Sequence, residues 1–209
     1  MGNRFGRTDM SYKFKIMILL FWSMIVVIYA PIEHDNELEV HYIHGQYALD
    51  MDNPYEVVGF SDYVFVAKVE EKIRTLYEYS DIDYRLHIYR MSGWPNTHYS
   101  IKVVENIKGD IVKDIPITLE QFGGISLDRK YIMLMENDTF LEPETYYVIV
   151  ANSQKDGGLL LNSPNGYRQL EISNENEIMS SKEFKEFVDY YENEIKYERE
   201  RYDSNYIRK

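Results

Sequence analysis

The sequence contains no cysteine. This excludes a disulfide-stabilised scaffold and any chemistry that depends on a thiol. Basic residues are scarce, because 23 Lys and Arg stand against 35 Asp and Glu, which gives a formal net charge of −12. A surface this acidic repels phosphate backbones, so we expect no nucleic-acid partner.

The common catalytic signatures are also missing. The chain has no G-x-S-x-G elbow, no P-loop, no G-x-G-x-x-G and no H-E-x-x-H. Gly123-Gly124 follows a predicted strand but precedes no helix pattern, which indicates a turn instead of a phosphate cradle. His87 and His98 have no partner nearby in the sequence. We therefore predict no catalytic residue, no cofactor site and no enzymatic activity.

Three histidines lie in one acidic stretch. His34, His41 and His44 have Glu37 and Glu39 among them, so a metal site is conceivable. Metal sites usually show more regular ligand spacing than this. We interpret residues 33–53 as a solvated spacer and predict no metal site.

One hydrophobic run stands out against the acidic background. Residues 16–32 form 17 consecutive positions without a charge. A membrane-spanning helix needs about 17–25 such residues, whereas a signal-peptide core has about 7–15. Cleavage after Ala30 would place the bulky Ile28 at a position that favours small residues. We predict an uncleaved signal anchor, and a cleaved signal peptide is the alternative.

The charges around this run set its orientation. Residues 1–15 are basic, and basic flanks stay on the cytoplasmic side of a membrane. We expect residues 1–15 to form a cytoplasmic tail and residues 16–32 to cross the cell membrane once. The rest of the chain would then be extracytoplasmic. A buried core helix explains the run less well, because it is apolar on every face.

Residues 54–170 show a β pattern. Asn53-Pro54 is a helix-start signal for a short helix that ends near Ser61. The segment 62–73 then alternates, with Tyr63 and Phe65 on one face and Val64 on the other. Further strands are predicted over residues 84–91, 98–107, 115–122, 131–136, 145–152 and 159–162.

The period changes to that of a helix within residues 171–209. Ser180 and Glu183 fit a capping box, and Met179 and Phe184 fit a hydrophobic staple. An apolar stripe then predicts an amphipathic helix over residues 181–202. Its charges nearly cancel, so we expect it to pack on the β-domain and not on a membrane surface.

The order of these segments resembles the netrin-like modules typified by the tissue inhibitors of metalloproteinases, and above all their bacterial membrane-anchored relatives. The resemblance covers residues 55–165 and includes SDYVFVAKVEEK, YSIKVVENIKGD and YYVIVAN, followed by a DGG turn. It implies a mainly β fold with flanking helices (α+β), built on a five-stranded OB-type barrel. The matching positions are Asp62, Val64, Val66, Lys68, Val69, Asn106, Ile107, Lys108, Gly109, Tyr147, Val148 and Gly157.

The chain departs from that family at the residue on which inhibition depends. The metalloproteinase inhibitors chelate the catalytic zinc through an N-terminal cysteine, and this chain has none. We therefore expect a membrane-tethered, non-enzymatic binding module for a protein or another cell-envelope component. The alternatives are an inhibitor that acts through a loop and a hydrolase assembled from scattered residues.

An aromatic-rich stretch is the candidate contact surface. Residues 76–97 look like an insertion relative to the simple module, and they contain Tyr79, Tyr84 and Trp94. OB barrels often bind ligands near the loop between their first two strands, and Tyr and Trp dominate interface hot spots. We predict these three residues as ligand contacts. The competing interpretation is that they cover one end of the barrel as local core.

Overall fold

The computed structural model describes residues 38–46, 49–78 and 93–208. The predicted cytoplasmic tail and membrane anchor, residues 1–32, lie outside this part of the chain, as does the predicted strand over residues 84–91. Within the described ranges, no helix is long and apolar enough to cross a membrane.

The fold is mainly β with a few helices, as the sequence predicts. The helices are α1 (Pro54–Phe60), the 3₁₀ helix η1 (Glu175–Ser180) and α2 (Lys182–Glu192). The strands are β1 (Glu39–Ile43), β2 (Tyr63–Glu78), β3 (Trp94–Lys108), β4 (Pro116–Phe122), β5 (Gly124–Ile125), β6 (Tyr131–Met135), β7 (Tyr146–Ser153), β8 (Leu159–Leu161) and β9 (Tyr167–Gln169).

Helix α1 begins where the sequence predicts. The side chain of Asn53 accepts a hydrogen bond from the backbone N–H of Tyr55, and Pro54 takes the first helical position. Proline suits this position because its missing N–H has no partner in the first turn of a helix. The helix ends before Ser61, so the chain turns directly into β2.

The larger sheet contains six strands in the order β2-β3-β4-β8-β7-β9, and β2 also pairs with β7. The β4–β8 pair is parallel, and the other pairs of this sheet are antiparallel. Hydrogen bonds therefore run from β2 through β3, β4, β8 and β7 and return to β2. The first half of β2 is paired on both edges, since Val64 lies opposite both Lys108 and Val150.

The two faces of β2 belong to two different cores, as its alternation predicts. Phe65 and Ala67 lie on one face and belong to the same buried cluster as Tyr99 and Ile101. Val64 and its neighbours on the other face pack against helices α1 and α2, in a cluster that includes Val57, Val58, Val66, Val148, Val150, Phe184 and Phe187. The helices thus cover one outer side of the large sheet.

A second sheet has three strands in the order β1-β6-β5. Strand β1 runs parallel to β6, and its residues are largely exposed. It lies inside residues 33–53, which we interpreted as a solvated spacer, so part of that spacer is a strand. Strand β5 of the small sheet follows β4 in the chain, and the two are joined at Gly123-Gly124, where we predicted a turn. That prediction is wrong, because Gly123 forms a bridge with Asn96 and the strand continues.

The predicted helix over residues 181–202 is shorter than expected, because α2 ends at Glu192. Its N-cap is Ser181, whose hydroxyl accepts from the N–H of Phe184, so the predicted capping box at Ser180 is wrong by one residue. Met179, the predicted staple, is 65% exposed. Residues 193–208, which we name the C-terminal strap, run across the large sheet in a non-helical conformation.

The C-terminal strap is held at the start of β2. Asp62 is only 6% exposed and lies 2.8 Å from Arg199 and 2.7 Å from Arg201. Its second oxygen accepts from the backbone N–H of Ser153 at 2.9 Å. Farther along, Ile111 and Ile207 form an antiparallel bridge. The strap therefore ties the C-terminal segment to the first strand of the large sheet.

Candidate functional site

Trp94 is the one predicted contact residue that the structure places. It is the first residue of β3, is 45% exposed, and its ring centroid lies 5.6 Å from that of Phe122 at the end of β4. Tyr79 and Tyr84 lie outside the described residues, so their role stays a prediction. Trp94 borders residues 79–92 in the sequence, as the predicted contact surface requires.

Trp94 forms one wall of an open cleft of about 640 Å³. Tyr131 and Met133 form the floor, because they alternate along β6 and point to the same side. The loop between β5 and β6 supplies the opposite wall through Leu127, whose side chain is exposed. The remaining lining residues are Gly93, Ser126 and Asp128.

A close approach of two backbones brings Trp94 and the floor together. Gly123 has φ of 111°, and a Cβ on it would lie 2.7 Å from the carbonyl oxygen of Met133. Its N–H donates to the carbonyl of Pro95 at 2.8 Å, and the Thr97 hydroxyl donates to its carbonyl at 2.7 Å. Glycine at this position is what lets β4, β3 and β6 meet beside the cleft.

The loop wall is rigid because its polar groups bond to one another. The buried hydroxyl of Ser126 donates to Asp128 Oδ1 at 2.7 Å and accepts from the N–H groups of Lys130 and Tyr131 at 3.1 and 3.2 Å. The Ser126 hydroxyl lowers the pKa of Asp128, and the backbone N–H of Lys130 adds to the effect. Asp128 is thus held as a carboxylate that already has its hydrogen-bond donors.

Strand β1 extends the floor of the cleft. Its residues Glu39 and His41 lie opposite Tyr131 and Met133, so their side chains share the face that lines the cleft. The His41 ring stacks on Tyr131 with ring centroids 4.4 Å apart and planes 14° apart. His41 therefore stacks on Tyr131 beside the cleft, and about half of its side chain is exposed.

This arrangement suits binding better than hydrolysis. Among the described lining residues, only Ser126 has a hydroxyl beside a carboxylate, and a carboxylate with a lowered pKa is a poor base for its proton. His98, which the sequence left isolated, lies in β3 with its Nε2 3.8 Å from a carboxylate oxygen of Glu120. Gln154 donates to the other oxygen of Glu120, so Glu120 links β3 to the turn that follows β7.

The metal hypothesis can be examined for part of its residues. His41 stacks on Tyr131, and His44 bonds to Glu136. His34 and His87 lie outside the described residues. In the described ranges, no group of three or more His, Asp or Glu side chains is placed to hold a metal ion.

Comparison with known proteins does not assign the chain to a family. No family model matches the sequence, and no curated protein matches it significantly. The site therefore has to be interpreted from its own geometry.

The sequence predicted one side of the cleft and missed the other. Leu127, Tyr131 and Met133 belong to a short hairpin whose pattern indicates a strand but not a binding surface. They reach Trp94 only because of the Gly123 approach, which joins residues about 30 positions apart in the sequence. The one available signal was the Gly-Gly pair, since a glycine in a strand often marks a close backbone contact.

Proposed function

We propose that this chain is a membrane-tethered, extracytoplasmic, non-enzymatic binding module, and that the Trp94 cleft receives an apolar part of a protein or another cell-envelope component. The observation that carries the proposal is the cleft itself: an open concavity walled by Trp94, Leu127, Tyr131 and Met133. Apolar, partly aromatic concavities of this kind are typical binding sites.

The polar groups of the cleft support an apolar ligand over a sugar or a charged ligand. Two polar lining side chains, those of Ser126 and Asp128, bond to each other and to the backbone of their own loop. A ligand rich in hydroxyls would lose its bonds to water and gain few in return, which is costly. An aliphatic or aromatic group would instead displace water from carbon surface, which is favourable by about 25 cal/mol per Å².

We also propose that the large sheet is an OB-type barrel of five strands, β2, β3, β4, β8 and β7. The return of the pairing from β7 to β2, with β4 and β8 parallel, supports this interpretation. In such a barrel residues 79–92 join the first two strands, and OB barrels bind ligands around that connection. Trp94 lies where this connection enters β3. The netrin-like resemblance of residues 55–165 agrees with the same scheme.

The membrane tether rests on the sequence. Seventeen uncharged residues follow a basic tail, which favours a single-pass anchor with the β-domain outside the cytoplasm. A tether raises the effective concentration of the module near envelope partners. A cleft with modest intrinsic affinity would therefore be sufficient for a specific contact.

The experiment is site-specific photo-crosslinking in the cells that produce the full-length chain. A photoreactive amino acid replaces Leu127 in the cleft, and in a matched strain it replaces Met179, an exposed apolar residue of η1. We expect a discrete crosslinked product from position 127 and none from position 179. Trp94→Ala should reduce that product at least tenfold while far-UV circular dichroism is unchanged.

Three results would contradict the proposal. Equal crosslinking from positions 127 and 179 would mean that the cleft is not a preferred contact. An unchanged product in Trp94→Ala would mean that the partner binds elsewhere. Hydrolytic turnover that depends on Ser126 would favour the hydrolase alternative.

A further inference from the structure

We propose that strand β1 pairs with β1 of a second copy of this chain, antiparallel and about a two-fold axis at His41. Among the described residues, β1 pairs only with β6, and no described strand occupies its other edge, which we call the open edge. Open edges of this kind are templates for pairing with another strand. The inference is independent of the ligand that the cleft receives.

The direction of the backbone groups identifies which residues face the open edge. The carbonyl of Ile43 accepts from the N–H of Glu136 across the β1–β6 pair. In a strand, successive residues direct their N–H and C=O groups to opposite edges. Glu39, His41 and Ile43 therefore bond toward β6, whereas Val40 and Tyr42 present their N–H and C=O groups at the open edge.

The strand is complementary to itself in one register. All five residues of β1 pair only when the axis passes through His41, the middle residue. Val40 of each copy then lies opposite Tyr42 of the other copy. These are the residues whose N–H and C=O groups face the open edge. Antiparallel ladders alternate hydrogen-bonded and non-hydrogen-bonded pairs, so the two His41 residues form the non-hydrogen-bonded pair between them.

The side chains favour the same register. Val40 and Tyr42 are exposed by 37% and 52% and lie on one face of the strand. A β-branched residue opposite an aromatic residue is a stabilising cross-strand pair. Glu39 lies opposite Ile43, so no two carboxylates face each other. Exposed apolar side chains on an open edge are otherwise unusual, because edges are normally protected by charge.

The pairing would join two small sheets into one of six strands. Residues opposite each other in an antiparallel pair point to the same face. The face that carries His41 is also the face that lines the Trp94 cleft. Both clefts of the dimer would therefore open on the same side, which suits a partner with two contact points.

Cysteine crosslinking tests the register in the full-length chain, which has no native cysteine. Cα atoms of a non-hydrogen-bonded pair are roughly 4.5 Å apart, within the range of about 4.4–6.8 Å that a disulfide needs. We expect His41→Cys, oxidised by copper phenanthroline in intact cells, to give a band at twice the 25.0 kDa monomer mass. Glu39→Cys should give none, because the two new thiols would be roughly 13 Å apart along the strand.

Two controls make the result decisive. Lys182→Cys reports random collisions, because its side chain is exposed on α2, away from the small sheet. The double variant Glu39→Cys with Ile43→Cys should recover the dimer band, since the proposed register places these two positions opposite each other. The proposal is overturned if His41→Cys crosslinks no more than Lys182→Cys, or if Glu39→Cys alone crosslinks as well as His41→Cys.

A second variant separates pairing from folding. Tyr42→Pro removes an N–H that faces the open edge and leaves the bonds from β1 to β6 in place. Proline is tolerated at such edge positions. In the His41→Cys background, Tyr42→Pro should reduce the dimer band at least tenfold without changing the thermal unfolding midpoint, whereas Tyr42→Phe should not. Undiminished crosslinking in Tyr42→Pro would exclude backbone pairing through this edge.

Discussion

Asp138 is the residue whose surroundings differ most from those of an ordinary aspartate. It is 1% exposed, and neither carboxylate oxygen has a hydrogen-bond partner among the described residues. Burial raises the pKa of Asp138 to about 6, although the nearby side chains of Ser163 and Gln121 oppose the shift. The folded protein therefore retains a proton that the unfolded chain loses at lower pH.

We expect Asp138→Asn to stabilise the protein at pH 8. The folded pKa lies above the unfolded value of 3.8, so stability falls as pH rises from about 4 to about 6 and stays low above that range. The shift corresponds to on the order of 2–3 kcal/mol in the free energy of unfolding. Urea unfolding from pH 4 to pH 8 should show this gain at pH 8 and little gain at pH 4.

Asp128→Asn provides the control of opposite sign. The Ser126 hydroxyl lowers the pKa of Asp128, so its carboxylate stabilises the fold above about pH 4. Replacing it should give a small loss of stability at pH 8 that disappears at low pH. If Asp138→Asn were no more stable than the native chain at pH 8, the buried carboxylate would have to be compensated in a way that this structure does not show.

The sequence could not have identified Asp138. It lies in Asn137-Asp138-Thr139, between two strands, and such polar triplets usually form exposed turns. Its burial depends on Gln121 and Ser163, which come from distant parts of the chain. The faces of β2 could be predicted, by contrast, because alternation is a local property.

At the scale of elements, the C-terminal strap explains why the helix prediction failed beyond Glu192. The pattern of apolar and charged residues over 193–202 suits a helix. However, backbone and side-chain groups of this segment form hydrogen bonds with residues elsewhere in the fold. The N–H of Ile195 donates to the carbonyl of Tyr55, and Arg199 donates to the carbonyl of Phe60. These bonds to α1 replace the bonds that another helical turn would supply.

We predict that Gly59→Ala destabilises the protein even though alanine is the better helix former. Alanine in a helix is favoured by up to about 1 kcal/mol over glycine. However, a Cβ at Gly59 would lie 1.9 Å from the carbonyl oxygen of Ile195, so the strap would have to move. Overpacking of this kind costs about 1–3 kcal/mol, and after the helix gain we expect a net loss of about 1 kcal/mol in urea unfolding.

Trypsin provides a second measurement on the same variant. Cleavage after Lys196 and Arg199 in the strap should be faster in Gly59→Ala than in the native chain. Gly158→Ala is the matched control, because its nearest neighbour is the side chain of Asp156 at 3.2 Å and its φ is not positive. Equal stability and equal cleavage in both variants would show that the strap does not need the space at Gly59.

At the scale of the whole molecule, the chain divides into residues 1–37 and residues 38–209. The second unit has its own two core clusters, which lie within residues 49–207. A unit with its own core is expected to fold independently. From the sequence we predicted that the membrane anchor ends at residue 32, and that boundary stays a prediction.

We expect a variant that lacks residues 1–32 to be soluble and folded by circular dichroism, while the full-length chain sediments with membranes. A full-length control with Val26→Arg and Val27→Arg should leave the membrane fraction, because each charge at the centre of a span costs about 2.5–3.5 kcal/mol. An unstructured truncated variant, or a control that still sediments with membranes, would contradict the anchor-plus-domain organisation.

The order of the strands along the chain could be predicted, but their pairing could not. Strands β2, β3, β4, β6, β7 and β8 carry local signals in their residues and flanking turns, whereas β5 begins in the Gly123-Gly124 pair that was predicted as a turn. The contacts that matter for the site join β3 to β4 and β6 through Gly123, and the parallel β4–β8 pair joins strands far apart in the sequence. Such contacts depend on the shape of the folded chain and leave no periodic pattern.

The two arginines on Asp62 also have a consequence for the time at which the protein folds. Arg199 and Arg201 follow Asp62 by about 140 positions in the sequence. A ribosome that adds roughly 5–20 residues per second needs on the order of ten seconds to cover that distance. During this interval neither arginine has been added to the chain, so the two ion pairs of Asp62 are among the last contacts that can form.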